Sequence, residues 1–156
     1  MLILNPEYVE AVCNLANTCP YFRLLSMTIK ELDIGRAVVE IDLDDKHIQA
    51  FGVVHGGVVA SVIDTAAFWA VFCELEENAG ITSVDININY LAPVQSGKLL
   101  ATGRRIKLGS TIGLAEADII NEDGKMIAHG TSTIMVLPDR GLAGGESFPP
   151  KFIEDS

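Results

Sequence analysis

The stretch that decides the fold is HGGVVASVIDTAAFWAVFC, which occupies residues 55–73. Thirteen of the sixteen residues from Val58 to Cys73 are apolar, and one of the three exceptions is Asp64. The run is short for a bilayer, carries an acid near its middle and is followed by glutamates rather than basic anchors. We therefore predict a helix that is buried on nearly all sides, begins at His55-Gly56 and reaches about Asn78.

Strand-like runs flank this helix, two before it and four after it. Alternation is clearest in Thr82–Leu91, where apolar and polar side chains take turns. Short connections without helices make such runs antiparallel neighbours. We predict an α+β fold in which an antiparallel sheet of about six strands wraps around one long buried helix. The other predicted strands are Leu24–Leu32, Arg36–Leu43, Lys98–Leu108, Thr111–Ile120 and Lys125–Leu137.

The two ends of the chain differ in character. Asn5-Pro6-Glu7 has the form of a helix start, and we predict a short helix from there to about Asn17. The segment after Pro138 is rich in glycine and proline, which predicts a loose tail. We therefore expect a single domain over residues 1–138 and a loose C-terminal tail over residues 139–156.

Charge and cysteine usage limit the partners and the compartment. The chain has 11 basic and 21 acidic residues, which gives a formal net charge of −10. Such a field repels phosphate backbones, so we expect neither nucleic acid nor an anionic membrane as a partner. The three cysteines are an odd number without a C-x-x-C pair, and no secretory signal opens the sequence. These features predict reduced thiols and a cytoplasmic location.

The segment with most chemical content is Gln49–Gly57, followed by Asp64. Two glycines at a helix start let another group approach the free backbone N–H groups, where the helix dipole favours negative charge. Such donors suit the oxyanion that forms when a carbonyl is attacked. A plain turn from loop to helix is the alternative interpretation.

Asp64 stands in an apolar helix, where an unpaired carboxylate costs several kcal/mol. It must therefore line a polar cavity or have a partner. A carboxylate in a cleft suits a general base or a nucleophile, and a purely structural acid is the alternative. Gly56 and Asp64 are eight residues apart, about 12 Å along a helix axis. They cannot easily flank one carbonyl within a chain, whereas a two-fold dimer can bring one of each together.

The pattern Gln49-x5-His55-Gly56-Gly57-x6-Asp64, with the strand Ser83–Ile88 after the helix, resembles the PaaI-like acyl-CoA thioesterases of the hotdog-fold superfamily. The resemblance covers roughly Leu24–Val136. It implies a hotdog fold, hydrolysis of acyl-CoA thioesters and a homo-oligomer, with a dimer of dimers expected.

The resemblance also implies roles for single residues. Asp64 matches the catalytic carboxylate, and the Gly56 N–H matches the donor that polarises the thioester carbonyl. His55 matches a histidine that shapes the turn and orients the thioester. Gln49 falls where the family has an amide that positions the water or the carbonyl, and Ser83 matches a hydroxyl that holds the water. Asp at position 64 is typical of phenylacetyl-type members, whereas Gln at 49 is typical of hydroxybenzoyl-type members.

Further residues are predicted to bind the substrate. Gly57 lies beside the predicted carbonyl donor, and Phe68 is a candidate for the acyl pocket. No acid occurs between Val94 and Ala115, and this island carries four basic residues. It is a candidate site for the coenzyme A phosphates, and a solvated strand edge is the alternative. The members of this candidate site are Arg104, Arg105, Lys107, Gly109 and Ser110, with Lys98 at its start.

The predicted function is therefore hydrolysis of an aryl- or medium-chain acyl-CoA, with Asp64 as general base or nucleophile. No separate cofactor is expected, since coenzyme A is part of the substrate. No metal is expected either. His47 is the only histidine near acids in the sequence, and the spacing typical of metal ligands does not recur around it. Two other functions remain open: dehydration or hydration of 3-hydroxyacyl thioesters, and acyl-CoA binding without catalysis.

Overall fold

The computed structural model describes residues 1–156, and its main feature is a six-stranded sheet that curls around one helix. Sheet order is β2-β3-β5-β6-β7-β4, and every neighbouring pair is antiparallel. This confirms the predicted α+β architecture. In chain order the elements are β1 (Leu2–Leu4), α1 (Pro6–Asn17), α2 (Pro20–Leu25), β2 (Met27–Asp33), β3 (Arg36–Asp42), α3 (Gly56–Phe72), β4 (Gly80–Tyr90), β5 (Lys98–Leu108), β6 (Ile112–Asn121), β7 (Met126–Leu137) and β8 (Phe152–Glu154).

Helix α3 approaches the inner face of the sheet closely where small residues line that face. Ala101, Ala115 and Ala117 are fully buried there. A Cβ on Gly103 would lie 2.0 Å from the carbonyl oxygen of Ala66, so only glycine lets α3 approach β5 this closely. The helix ends at Phe72, earlier than predicted. None of the helices has the length and apolar character that crossing a membrane requires.

The C-terminal segment is packed, so the prediction of a loose tail is wrong for its last part. Strand β8 pairs with β1 in a second, two-stranded sheet. Asn5, which caps α1, donates its side-chain amide to the carbonyl of Pro150 and its backbone N–H to that of Lys151. The partners of this segment come from the other end of the chain, so its glycine and proline content did not reveal them.

Lys151 attaches this segment to the end of α3. Its side chain is fully buried, and its Nζ donates to the carbonyls of Phe72 at 2.8 Å and Leu75 at 2.6 Å. The ammonium also lies 4.6 Å from the centroid of the Phe72 ring. A cation is favoured at a helix C-terminus, where carbonyls are left without partners. Burial nevertheless lowers the pKa of Lys151 to about 8.

This geometry predicts an unusual pH dependence. In the unfolded chain the amine regains the ordinary lysine pKa of 10.5, so between pH 8 and 10.5 the unfolded chain binds more protons than the folded one. The contribution of Lys151 to the free energy of unfolding therefore increases as the pH rises from 8 to 10.5. We expect the free energy of unfolding of the wild type, relative to Lys151→Met, to increase from pH 8 to 10. Urea denaturation of both variants measures it, and a difference that stays constant or falls would contradict the prediction.

Strand β4 forms an edge of the six-stranded sheet. It pairs with β7 on one side only, over eleven residues, and carries a bulge between Ser83 and Asp85. Its Val84 and Ile86 side chains are 54% and 39% exposed. A long apolar edge with unpaired N–H and C=O groups is a template for pairing with another strand.

Candidate active site

Helix α3 begins in a turn that His55 holds together. His55 is the N-cap, and its Nδ1 accepts a hydrogen bond of 2.7 Å from the Gly57 N–H. The backbone N–H of His55 donates to the carbonyl of His47. His47 is itself buried, with its ring nitrogens bonded to the backbone of Asp44 and Leu25. The start of α3 is therefore a rigid turn with few alternative conformations.

The Gly56 N–H is the free donor at this helix start. It donates to no acceptor within the chain, whereas the Gly57 N–H is taken by His55. It lies at the positive end of the α3 dipole and beside a groove of about 290 Å³. Tyr90 lines that groove, and its hydroxyl donates to the Gly56 carbonyl at 3.3 Å. The sequence pattern indicated no role for Tyr90, because this contact depends on how β4 packs against α3.

Asp64 has both a partner and a cavity. Its Oδ1 accepts a hydrogen bond of 2.7 Å from the Ser83 hydroxyl on β4. The two side chains share a groove of about 330 Å³ between α3 and β4, which Ser61 and Ile86 also line. The structure therefore brings together two of the residues predicted to act on the substrate. The carboxylate is only partly buried, so a ligand in the groove can reach it.

Gly56 and Asp64 open into different grooves of the same chain. Both belong to α3, so the eight residues between them correspond to about 12 Å along its axis. The Gly56 groove contains no residue of the Asp64 groove. A single carbonyl therefore cannot contact both groups of one chain.

Two predicted residues have positions that the sequence did not show. The side-chain oxygen of Gln49 accepts a hydrogen bond from the Phe51 N–H, within a tight loop closed by Gly52. Gly52 has a φ of 80°, in the left-handed region that glycine tolerates. Phe68 is half-buried one turn beyond Asp64, with its ring edge-on to Trp69. The structure thus places Phe68 one turn from Asp64 on α3, whereas Gln49 lies in the loop before the helix.

The basic island of the sequence is largely neutralised in three dimensions. Arg104 donates through both terminal nitrogens to Asp118, and Arg105 donates through Nε to Glu74 at 2.7 Å. Lys98 forms an ion pair with Glu40 on β3. These acids come from other elements, so the expectation of an acid-free strip, although true of the sequence, is wrong for the folded surface.

Lys107, Gly109 and Ser110 lie at the end of β5 and in the turn after it. Lys107 forms no ion pair. The turn borders a cleft of about 760 Å³ near the C-terminal end of α3, and four acids line this cleft. Glu74, the first of them, lies two residues beyond the end of α3. The acids of the cleft are Glu74, Glu76, Glu77 and Asp139.

Comparison with known proteins identifies the class. The family described as Thioesterase superfamily matches residues 51–128, which include the start of α3, Asp64 and Ser83. The chain belongs to this superfamily, and its fold is the hotdog fold that the family resemblance implied.

Several relatives are similar over most of their length. The chain is 34% identical over 130 residues to human acyl-coenzyme A thioesterase 13, a match that covers 81% of this chain and 90% of that protein. A crystal structure of a thioesterase from Haemophilus influenzae superposes with a TM-score of 0.77 at 29% identity, over 88% of this chain and 96% of that one. PaaI from Escherichia coli shares the fold, with a TM-score of 0.78 at 20% identity over 89% and 99% of the two chains.

Proposed function

We propose that this protein is an acyl-CoA thioesterase, which hydrolyses the thioester bond of an aryl- or medium-chain acyl-CoA to a free acid and coenzyme A. One observation carries the proposal: the unpaired Gly56 N–H at a helix start and the Ser83-bound Asp64 carboxylate are both open to grooves. The names of similar proteins, human acyl-coenzyme A thioesterase 13 among them, support the substrate class.

In the proposed reaction the Gly56 N–H donates to the thioester carbonyl oxygen and stabilises the negative charge that develops there. Asp64 takes a proton from a water molecule, whose oxygen forms the new bond to the carbonyl carbon. Collapse of the intermediate breaks the C–S bond, and the thiolate of coenzyme A takes the proton back from Asp64. Direct attack by Asp64, followed by hydrolysis of the anhydride, uses the same groups and gives the same products. Ser83 orients the carboxylate in either route.

The proposal includes a homodimer in which Gly56 of one protomer faces Asp64 of its partner. The 12 Å separation within one chain and the unpaired edge of β4 both support this arrangement. An isologous pairing of two β4 edges would continue the sheet across the dimer. A dimer of dimers is proposed on the family resemblance.

The remaining parts of the proposal concern coenzyme A and the compartment. Arg105 donates to Glu74 through Nε alone, so its terminal nitrogens are available to a phosphate. Arg104 uses both terminal nitrogens on Asp118. We therefore assign the phosphate contact to Arg105 and Lys107 rather than to Arg104. The cysteines form no disulfide, which supports a cytoplasmic location.

A panel of thioesters tests the function, with free thiol detected by a dye. We expect the wild type to release coenzyme A from phenylacetyl-CoA or octanoyl-CoA. We also expect Arg105→Ala to raise KM for these substrates with kcat nearly unchanged, because distant phosphates contribute uniform binding. Arg104→Ala is the matched control. Acyl-N-acetylcysteamine thioesters lack the nucleotide, so Arg105→Ala leaves their KM unchanged.

The panel also separates the other functions. A protein that releases thiol from none of the substrates, but removes water from 3-hydroxyacyl-CoA, would be a dehydratase. Binding of acyl-CoA without any turnover would identify a non-catalytic binding protein. Either outcome would refute the proposed hydrolysis.

A further inference from the structure

We propose that Tyr21 on α2 determines which acyl groups the enzyme accepts, by forming a wall of the acyl site opposite β4. This inference rests on the proposed function, and it concerns a residue to which neither the sequence pattern nor the proposed mechanism assigns a role. Three features of the structure carry it: the open stripe on α3, the contact between Tyr21 and that stripe, and the fixed geometry of α2.

Helix α3 has one stripe that the sheet does not cover. Most of its residues are buried, but those at helical spacing along one side are exposed or half-buried. Small and polar side chains dominate the stripe, so it is shallow and accessible along its length. Its members are Gly57, Ala60, Ser61, Asp64, Thr65 and Phe68.

The stripe has a different element on each side. Strand β4 stands on one side, where Ser83 donates to Asp64. Helix α2 contacts the stripe at Ser61, whose Oγ lies 2.6 Å from the Tyr21 hydroxyl. Since α2 leads directly into β2 and β4 lies at the other edge of the sheet, the two elements border α3 from opposite sides. In the proposed acyl site the stripe is the floor, and Tyr21 forms the wall opposite β4, beyond the groove that Asp64 and Ser83 line.

The direction of the hydrogen bonds shows how Tyr21 is held. The Ser61 hydroxyl donates to the Gly57 carbonyl at 2.9 Å, so its single proton is used. The phenol of Tyr21 is therefore the donor to Ser61. This bond fixes the end of a side chain that is 52% exposed. An exposed tyrosine does not need this hydrogen bond for stability. The bond to Ser61 instead holds the ring of Tyr21 in one position, as a rigid surface of the proposed acyl site.

Helix α2 is itself well fixed. It starts at Pro20, buries Phe22 in the core and ends at Leu25, with Ser26 as its C-cap at a φ of 57°. Arg23 on the same helix is exposed and lies two residues from Tyr21, which places it on the opposite side of α2, so it serves as a control position. The backbone of Tyr21 is therefore fixed, and its ring can move away from the stripe only by breaking the hydrogen bond to Ser61.

Ser61 precedes Asp64 by three residues, so its side chain is the next neighbour of the carboxylate on the same helix face. A ring bonded to Ser61 stands about one helical turn from the site of attack. An acyl chain attached to the attacked carbonyl runs along the stripe and meets Tyr21 within a few methylene groups. The ring therefore limits acyl length, and each methylene that fits or fails to fit changes kcat/KM about 10-fold or more.

The experiment compares kcat/KM for hexadecanoyl-CoA and butanoyl-CoA in purified full-length variants. The measured quantity is the ratio of the two values, which does not depend on the fraction of active enzyme. We expect Tyr21→Ala to raise the ratio of long to short substrate about 10-fold, and Tyr21→Trp to lower it. Damage to the fold cannot shift one ratio in two opposite directions. Arg23→Ala is expected to leave the ratio at the wild-type value.

Three outcomes would overturn the inference. One is an unchanged ratio in both Tyr21 variants while the wild type hydrolyses acyl-CoA. Another is an equal shift in Arg23→Ala, which would make the effect a general property of α2. The third is dissociation of the Tyr21→Ala assembly in sedimentation, which would make Tyr21 a subunit contact. Absence of hydrolysis by the wild type is a different result, because it refutes the proposed function itself.

Discussion

Asp64→Asn is expected to lower kcat at least about 100-fold while the protein stays folded and binds thioesters, because the variant loses its positioned base or nucleophile. The substitution preserves shape, and the side-chain oxygen of asparagine still accepts the hydrogen bond that Ser83 donates to Asp64. The measurement is steady-state hydrolysis of an acyl-CoA, with circular dichroism and a binding titration on the same sample.

Asp85→Asn is the matched control for this experiment. Asp85 lines the same groove as Asp64, but its Oδ1 accepts a hydrogen bond from the Thr133 N–H rather than from Ser83. The control removes an equal charge from the same cavity, and we expect kcat to stay within about threefold of wild type, because Asp85 is exposed and solvent screens its charge. Comparable losses in both variants would mean that the groove needs negative charge, and near-normal kcat in Asp64→Asn would remove Asp64 from the mechanism.

The main architecture was predictable because its signals are local. A long apolar run with a glycine pair at its start predicts α3, and alternation of apolar and polar residues predicts the strands. Two long-range features explain the errors at the ends of elements. Residues after Phe72 keep a helical composition, but Lys151 occupies the carbonyls of Phe72 and Leu75, where the chain turns. The pairing of β1 with β8 joins opposite ends of the sequence, and no short pattern announces it.

The candidate site was predictable only in part. Asp64 stood out because a carboxylate is costly in an apolar helix, and its bond to Ser83 confirms that it needed a partner. The roles of Tyr21 and Tyr90 depend on contacts between distant segments, so composition gave no sign of them. The pairing of charged side chains was the least predictable property. Acids on neighbouring elements pair with Arg104 and Arg105, although none is near them in sequence.

The second large effect is expected from Gly56→Pro, which deletes the proposed carbonyl donor and leaves the helix in place. Gly56 is the first residue of α3, a position that proline favours, and its N–H bonds to nothing in the chain. His55 before it has an extended ψ of 136°, which proline requires of its predecessor. We expect kcat to fall about 100-fold or more, the scale for losing one oxyanion donor.

Gly56→Ala separates the donor from the bulk of the new side chain. A Cβ at this position meets the ring of Tyr90 at 3.3 Å in either variant, but alanine keeps its N–H. We therefore expect kcat of Gly56→Ala to stay well above that of Gly56→Pro. Equal losses in the two variants would show that crowding against Tyr90, rather than a missing hydrogen bond, stops the reaction.

Mixing the two inactive chains, Gly56→Pro and Asp64→Asn, tests whether the site is shared between protomers. In a mixed dimer one site combines the intact Gly56 of the Asp64→Asn chain with the intact Asp64 of the Gly56→Pro chain, while the other site has neither group. Random pairing makes half of the dimers mixed, so co-expression should restore about a quarter of wild-type activity by the two-fold symmetry of the assembly. A site formed within one chain could not produce this recovery, because each mutant chain lacks one of the two groups. Activity no higher than the sum of the two parents, in dimers whose mixed composition is verified by two affinity tags, would place both groups in the same protomer.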